Sequence, residues 1–325
     1  MKKNIAIIMG GYSSEAAISL NSGSVVYKNL DRTKYTPYSV HILQEKWVYI
    51  DEDKNEFPID KNDFSVLIGS DKITFDCVFN AIHGTPGEDG KILAYLDLIG
   101  VKHTSAPWYQ MALTFNKRDT LSVVKHYGIP TATSIYFNKG DKIEPSKIIE
   151  TVGLPCFIKP NNAGSSFGIS KAYTAEEILS GIAKAYKEDS EILIESFLDG
   201  TEVSVGVIQH KGELNVLPIT EITTDNDFFD YEAKYQGKSE EITPARIPEQ
   251  DAEKVRELAK KVYQILRMSG FSRSEYIFVN GEPHFLEMNS VPGLTEESLL
   301  PQQANEANIS LSDLFDNAIE MALNT

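Results

Sequence analysis

A few side chains in this sequence carry chemistry that a fold alone does not require. In the stretch His284 to Leu294, HFLEMNSVPGL, a carboxylate and an amide stand two positions apart within an apolar run. Side chains alternate faces along a strand, so Glu287 and Asn289 project from one side, close enough to share a cation. Hard oxygen donors of this kind suit Mg²⁺, which takes one or two carboxylates together with substrate phosphates. The Pro292-Gly293 turn that follows exposes backbone N–H groups beside that position.

A second group lies upstream. Lys159 interrupts the apolar run Cys156-Phe157-Ile158 and leads into Asn161-Asn162-Ala163-Gly164-Ser165-Ser166-Phe167-Gly168, after which Ile169 to Tyr173 reads as a returning strand. Such a hairpin tip can fold over phosphates, its N–H groups and serine hydroxyls donating while Lys159 supplies charge. It is not a P-loop, because no lysine follows the glycines toward a helix. Further on, the strand Ile192 to Leu198 runs into a short linker, and the strand Thr201 to Gln209 carries Glu202. A linker between lobes can hold a flat base, with Glu195 and Glu202 taking amine and ribose hydroxyls.

These residues need a scaffold. Strands are expected at Asn4–Met9, Tyr38–Leu43, Trp47–Ile50, Phe64–Ile68 and Asp76–Ile82, with a helix from about Ser14 to Leu30. Strands alternating with helices predict an α/β domain on an open, largely parallel sheet, whose ligands gather beyond the strands' carboxyl ends. Two features fall at that edge. One is Gly10-Gly11, a candidate anion-binding corner with Glu15 in the helix turn beyond it. The other is His83-Gly84-Thr85-Pro86-Gly87-Glu88-Asp89-Gly90, richer in glycine and titratable groups than a connection needs. Asn116 caps a helix to Tyr127 that carries Lys117 in its first turn, Thr174-Ala175-Glu176-Glu177 is a capping box, and Asp251 is expected to cap a strongly amphipathic helix. A hairpin spans Glu275 to Asn289, and a last helix runs from about Ser312 to Leu323. Residues 223–246 lack periodicity yet hold four aromatics, which suggests a functional loop.

Composition limits the partners. The 31 Lys+Arg against 47 Asp+Glu give a net charge of −16, which disfavours a nucleic-acid backbone or an anionic membrane. No apolar run approaches the ~18 residues of a membrane span. The two cysteines, Cys77 and Cys156, lie in apolar strands and read as buried thiols of a cytoplasmic protein. The length of 325 residues suits two or three domains. We place them at 1–115 (α/β, substrate-binding), 116–198 (central lobe) and 199–325 (C-terminal lobe with the metal site).

Read in order, GGYSSEAAISLNSG, HGTPGEDG, IKPNNAGSSFG, YEAKY and FLEMNSVPGLTEESL resemble the ATP-grasp enzymes and, among them, the D-alanine:D-alanine ligase family over nearly the whole chain. The resemblance implies a ligase that joins two D-alanines through an acyl phosphate for peptidoglycan synthesis, using ATP and two Mg²⁺ ions, with Mn²⁺ as a substitute. It implies a homodimer as well. Glu15 would hold the ammonium of the first D-alanine, aided by His83, and Ser298 with Leu299 would bind the second. Lys117, Lys159 and Lys234 would neutralise phosphates, and Glu195, Phe197, Leu198 and Glu202 would hold adenosine. Glu275, Glu287 and Asn289 would bind metal, while Arg273 and the Gly293 N–H would stabilise the oxyanion. Glu88 and Ser165 would link with Tyr235 to fasten the 223–246 loop, and Tyr235 in YEAKY resembles the enzymes that make dipeptide rather than depsipeptide. Two positions depart from the family: Glu275 stands where Asp is usual, and Asn116 precedes Lys117 where Asp is common. The alternatives are a ligase with another acceptor, such as D-lactate, and a nucleotide-binding protein without catalysis.

The hairpin sets a geometric condition. Asn280-Gly281 favours a two-residue turn, which would place Glu275 opposite Leu286 and the two acids on opposite faces. A shared metal therefore demands an odd loop or a bulge.

Overall fold

The computed structural model describes residues 2–224 and 239–324; Lys234 and Tyr235 lie outside the described residues. Three sheets carry the fold. The first contains β1 (Lys3–Gly10), β2 (Tyr35–Ile42), β3 (Trp47–Ile50), β4 (Glu56–Asp60), β5 (Ser65–Ile68), β6 (Asp71–Ile73) and β7 (Cys77–Asn80). Its order is β6-β5-β4-β3-β2-β1-β7. Only its heart is parallel: β1 pairs with β2 and β7, whereas β3 to β6 return as antiparallel hairpins. The parallel expectation holds where the sequence is apolar without alternation, as in Ile5 to Met9, which is buried on both faces. Beyond β2 the connections are too short for a crossover helix, and antiparallel pairing follows. Phe64, expected inside a strand, instead turns the chain at φ 56 and buries its ring.

Helix α1 (Ala16–Asn29) lies against β1. The last helix of the chain, at Leu311–Asn324, also packs on this first sheet. Phe315 meets Phe79 edge-on at 5.5 Å, and Leu314 and Ile319 join Ile5, Ile7 and Met9 in one buried cluster. Helices α2 (Lys91–Leu98), α3 (Trp108–Phe115) and α4 (Lys117–His126) lead into the second sheet. There the Asn116 side chain caps α4 by accepting from Asp119 N–H.

The second sheet has the order β10-β9-β11-β8, built from β8 (Ser134–Asn138), β9 (Cys156–Pro160), β10 (Ser170–Ala172) and β11 (Glu191–Ser196). It is backed by α5 (Pro145–Val152) and by α6 (Ala175–Ala185), which Thr174 caps through Glu177 N–H. The third sheet holds β12 (Thr201–His210), β13 (Glu213–Val216), β14 (Thr220–Thr224), β15 (Ser239–Ile242), β16 (Phe271–Val279) and β17 (Glu282–Asn289). Helix α7 (Glu249–Ile265) covers it with Val255, Ala259 and Val262. This helix starts at Glu249 with Pro248 as its cap, three residues before the expected cap Asp251. Proline is preorganised for a helix start, and Asp251 instead sits in the acidic first turn. Helix α8 (Leu299–Glu306) and α9 (Leu311–Asn324) close the chain. Among the described residues no helix is long and apolar enough to cross a membrane.

The β16–β17 hairpin resolves the conflict between local preference and function. Asn280 and Gly281 both have positive φ, 52° and 75°, and Val279 pairs with Glu282, so the turn is the tight two-residue form. Pairing continues regularly to Tyr276 opposite Phe285. There a bulge admits Leu286 as an extra residue, and Glu275 falls opposite Glu287. Arg273 then pairs with Asn289, which puts Arg273, Glu275, Glu287 and Asn289 on one face.

Candidate functional site

Glu287 lines both of two adjoining cavities between the sheets. The larger, about 310 Å³, is bordered by Glu15, His83, Glu88, Lys117, Ser165, Arg273, Asn289, Gly293 and Ser298, among others. The smaller, about 90 Å³, is bordered by Phe157, Lys159, Glu195, Leu198, Glu202, Ile277, Leu286 and Glu275. Tertiary packing brings segments beside all three sheets to one cleft.

 Sequence spacing does not group these residues: Glu15 and Ser165 are 150 positions apart, yet their side chains touch.

In the larger cavity, Glu15 precedes α1 but caps nothing with its side chain. It is buried, and its carboxylate accepts a 2.6 Å hydrogen bond from Ser165 Oγ. Gly164 permits that approach, since a Cβ there would stand 2.6 Å from Glu15 Oε1. Ser165 is thus bonded to Glu15; the link to Tyr235 that the resemblance implied lies outside the described residues. Ser165 and the adjacent Ser166 hold positive φ of 49° and 59°, a conformation that costs a non-glycine residue roughly 1–2 kcal/mol. Strain of this kind collects where a loop tip has a task.

The glycine corner after β1 is not an anion site. Gly10 N–H donates to Ser19 Oγ, Gly11 N–H to the Ile42 carbonyl and Tyr12 N–H to the Thr85 carbonyl. Its donors are spent on packing the corner, which the sequence did not reveal because the acceptors come from distant segments.

Glu88 accepts from Gly84 N–H at 3.1 Å and is buried. Burial, and then the neighbouring Glu15 charge, push its carboxyl up to about 8. Between the ordinary value of 4.5 and about 8 the folded chain holds a proton that the unfolded chain has lost. Stability must therefore fall as pH rises through that window. Glu88→Gln, neutral throughout, is expected to remove this part of the slope. The variant should melt a few degrees higher relative to wild type at pH 8 than at pH 5, measured without substrates. Parallel melting curves at the two pH values would remove Glu88 from this role.

In the smaller cavity, the β9–β11 register puts Lys159 and Glu195 on one face, and they pair at 2.7 Å. Burial opposes the Lys159 charge, but Glu195, aided by Glu287 and Glu202, outweighs it and raises the lysine pKa. Lys159 therefore remains a cation in the cleft. Phe197 lies 6.3 Å from Phe157, and Lys171 stands 4.3 Å over the Phe197 ring. Lys171 escaped notice in the sequence because an exposed-looking lysine on a short strand carries no signal. The loop base is pinned by Asn161, whose amide bonds Glu191 and accepts from Arg118 N–H.

Between the two ends, Lys117 Nζ donates to the Ala163 carbonyl at 2.6 Å and lies 3.5 Å from Glu287. That explains a cation in the first turn of α4, where the helix dipole disfavours it. Arg273 bonds Ser204 Oγ at 2.9 Å and pairs with Glu275. Among the described residues no three His, Cys, Asp or Glu side chains form a metal cluster. Two carboxylates and an amide nevertheless make an oxygen donor set that suits Mg²⁺ with phosphates completing the shell. Asn289 Nδ2 is buried without a hydrogen bond, so turning the amide to present its oxygen gives up no bond at that atom.

His83 is directed to Ser22, at 3.1 Å, and burial holds its ring down at about 4. Ser298 precedes α8, where its hydroxyl bonds Thr295 at 2.8 Å, and Leu299 opens that helix largely buried.

An α/β domain followed by two sheet lobes that border a shared cleft defines an ATP-grasp protein. Residues 4–106 match the family described as D-ala D-ala ligase N-terminus, and residues 123–320 match D-ala D-ala ligase C-terminus. The chain belongs to the D-alanine–D-alanine ligase family. It is 67% identical over 321 residues to the D-alanine–D-alanine ligase of Flavobacterium johnsoniae, covering 99% of each chain. It is 58% identical to that of Christiangramia forsetii, over 100% of this chain and 99% of the relative. Among solved structures, the VanG D-Ala:D-Ser ligase from Enterococcus faecalis superposes with a TM-score of 0.86 at 31% identity, covering 99% and 100% of the two chains. The Bacillus anthracis D-alanine–D-alanine ligase complexed with ATP superposes with a TM-score of 0.79 at 27% identity, covering 99% and 98%.

Proposed function

We propose that this chain is an ATP-dependent carboxylate–amine ligase that joins two D-alanines into D-alanyl-D-alanine for peptidoglycan precursor synthesis. The observation that carries the reading is the position of Glu287 on the border of both cavities, with the Glu15–Ser165 pair in one and the Lys159–Glu195 pair in the other. A phosphate transferred from a nucleotide to a small amino acid would cross at that border.

In this reading Glu15 binds the ammonium of the first D-alanine, and the carboxylate of that D-alanine attacks the γ-phosphorus of ATP, releasing ADP and forming an acyl phosphate. The amine of the second D-alanine, held beside Ser298 and Leu299, attacks the acyl carbon and expels phosphate. Lys117 and Lys159 offset phosphate charge, and Glu195, Phe197, Leu198 and Glu202 hold the adenosine. Glu275, Glu287 and Asn289 would hold Mg²⁺, which when bound supplies charge neutralisation at phosphate oxygens. Arg273 and the Gly293 N–H stabilise the tetrahedral oxyanion, and most of the catalysis is positioning and electrostatics. Tyr235 and Lys234 complete the assignment from the sequence. Domain limits near residues 115 and 198, a cytoplasmic location and a homodimer belong to the same proposal.

The test is ADP release with ATP and Mg²⁺ in the presence and absence of D-alanine. Release should require D-alanine, fall to background when Mg²⁺ is chelated, and return when it is restored. Faster turnover with D-lactate or D-serine as acceptor would overturn the acceptor assignment. ADP release independent of any amino acid would overturn the ligase reading.

A further inference from the structure

The turn that carries Gly293 is anchored on the N-terminal sheet domain. Leu294 N–H donates to Ser22 Oγ at 3.2 Å, and Ser22 belongs to α1. Ser22 is fully buried, and its hydroxyl also meets His83 Nε2 at 3.1 Å. An amide N–H can only donate, so Ser22 Oγ accepts from Leu294, and its contact with the imidazole bridges that turn to His83. His83, Glu88 and Val291, three residues before Leu294 in the same turn, line one cavity. One hydroxyl therefore ties together α1, the segment after β7 and the turn after β17.

A buried serine inside a helix that packs on a sheet is not a packing choice. Alanine would fill the space without a polar group to satisfy, and an unsatisfied hydroxyl is costly. What the hydroxyl adds is the placement of residues 290–294. Gly293 sits so close to Ser298 that a Cβ there would meet Ser298 Oγ at 2.6 Å, so any shift of the turn displaces both.

We propose that Ser22 is a positioning residue for ligation: it holds the 290–294 turn at the height where the Gly293 N–H meets the charge of the tetrahedral intermediate. This rests on the ligase reading above. Ser22 lies outside the cavity lining and acts through Leu294 and His83.

The test compares Ser22→Ala with wild type in kcat, in ATP affinity and in affinity for a phosphinate analogue of the dipeptide, which mimics the tetrahedral carbon. A misplaced oxyanion donor should lower kcat by about 10²-fold. Affinity for the phosphinate should fall in parallel, because only transition-state contacts are lost, while ATP affinity stays unchanged. If Ser22→Ala does not fold, Ser22→Cys, which keeps the volume but weakens both bonds, goes through the same measurements and should show a smaller loss of the same pattern. A folded variant with wild-type kcat overturns the proposal. So does a variant whose kcat falls while phosphinate affinity holds, or whose ATP affinity falls in step with kcat. Wild-type protein that releases no ADP with D-alanine overturns the ligase reading and this proposal together, so the two failures are told apart by the control.

Discussion

Glu15→Gln is expected to raise the KM for the first D-alanine by about 10²–10³-fold and to leave the KM for ATP little changed. Glu15 is buried, and in the proposed reading its carboxylate faces a substrate ammonium. Breaking a buried ion pair from one side costs roughly 3–5 kcal/mol, because the remaining charge is stranded. Glutamine retains an oxygen for the Ser165 hydroxyl, now 2.6 Å away, so the loop contact survives while the charge is lost. Steady-state kinetics with each substrate varied in turn checks this. A variant that changes the ATP KM and spares D-alanine would move the first substrate away from Glu15.

Arg273→Met should lower kcat by about 10²–10³-fold, the loss typical of one oxyanion donor, equivalent to roughly 2.7–4 kcal/mol. Arg273 also pairs with the buried Glu275, so methionine leaves an unpaired carboxylate and should lower the melting temperature. The double variant Arg273→Met, Glu275→Gln, set against Glu275→Gln alone because Glu275 is itself assigned to the metal, separates the two effects. It should recover stability, because no charge is stranded, with kcat still below that of Glu275→Gln. A double variant with the kcat of Glu275→Gln alone would show that Arg273 serves the fold and leaves the oxyanion to other groups.

The parts of the site that were legible in the sequence follow from short spacings. Glu287 and Asn289 share a face because strand side chains alternate, and the Thr174 and Asn116 caps follow from side chains that bond the next helical turn. The Lys159–Glu195 pair was foreseen only as two residues, because its partners meet through the β9–β11 register. Ser22 gave no signal at all. A serine two turns into a helix looks like any other until Leu294, 272 positions away, donates to it.

The hairpin shows where local coding ends. Asn280-Gly281 by itself determined the tight turn, because both residues tolerate positive φ. Where the register then shifts was decided by packing: the bulge at Leu286 keeps Phe285 and Tyr276 buried while turning Glu287 to meet Glu275. Similarly, the unbroken apolar run of β1 determined a strand buried on both faces, yet only the tertiary structure supplied α9 as part of its cover. The sequence by itself determined the strands and helices with strong periodicity or caps, which residues were chemically able to bind phosphate, metal and ammonium, and which faces they would share within one element. The tertiary structure alone decided the Glu15–Ser165 contact, the cleft bordered on both sides by Glu287 and the anchoring of the Gly293 turn on Ser22. The reason is physical: spacing along the chain fixes dihedral preference and side-chain direction, whereas contacts between distant segments exist only once burial of apolar surface has offset the entropy of closing the long loops between them.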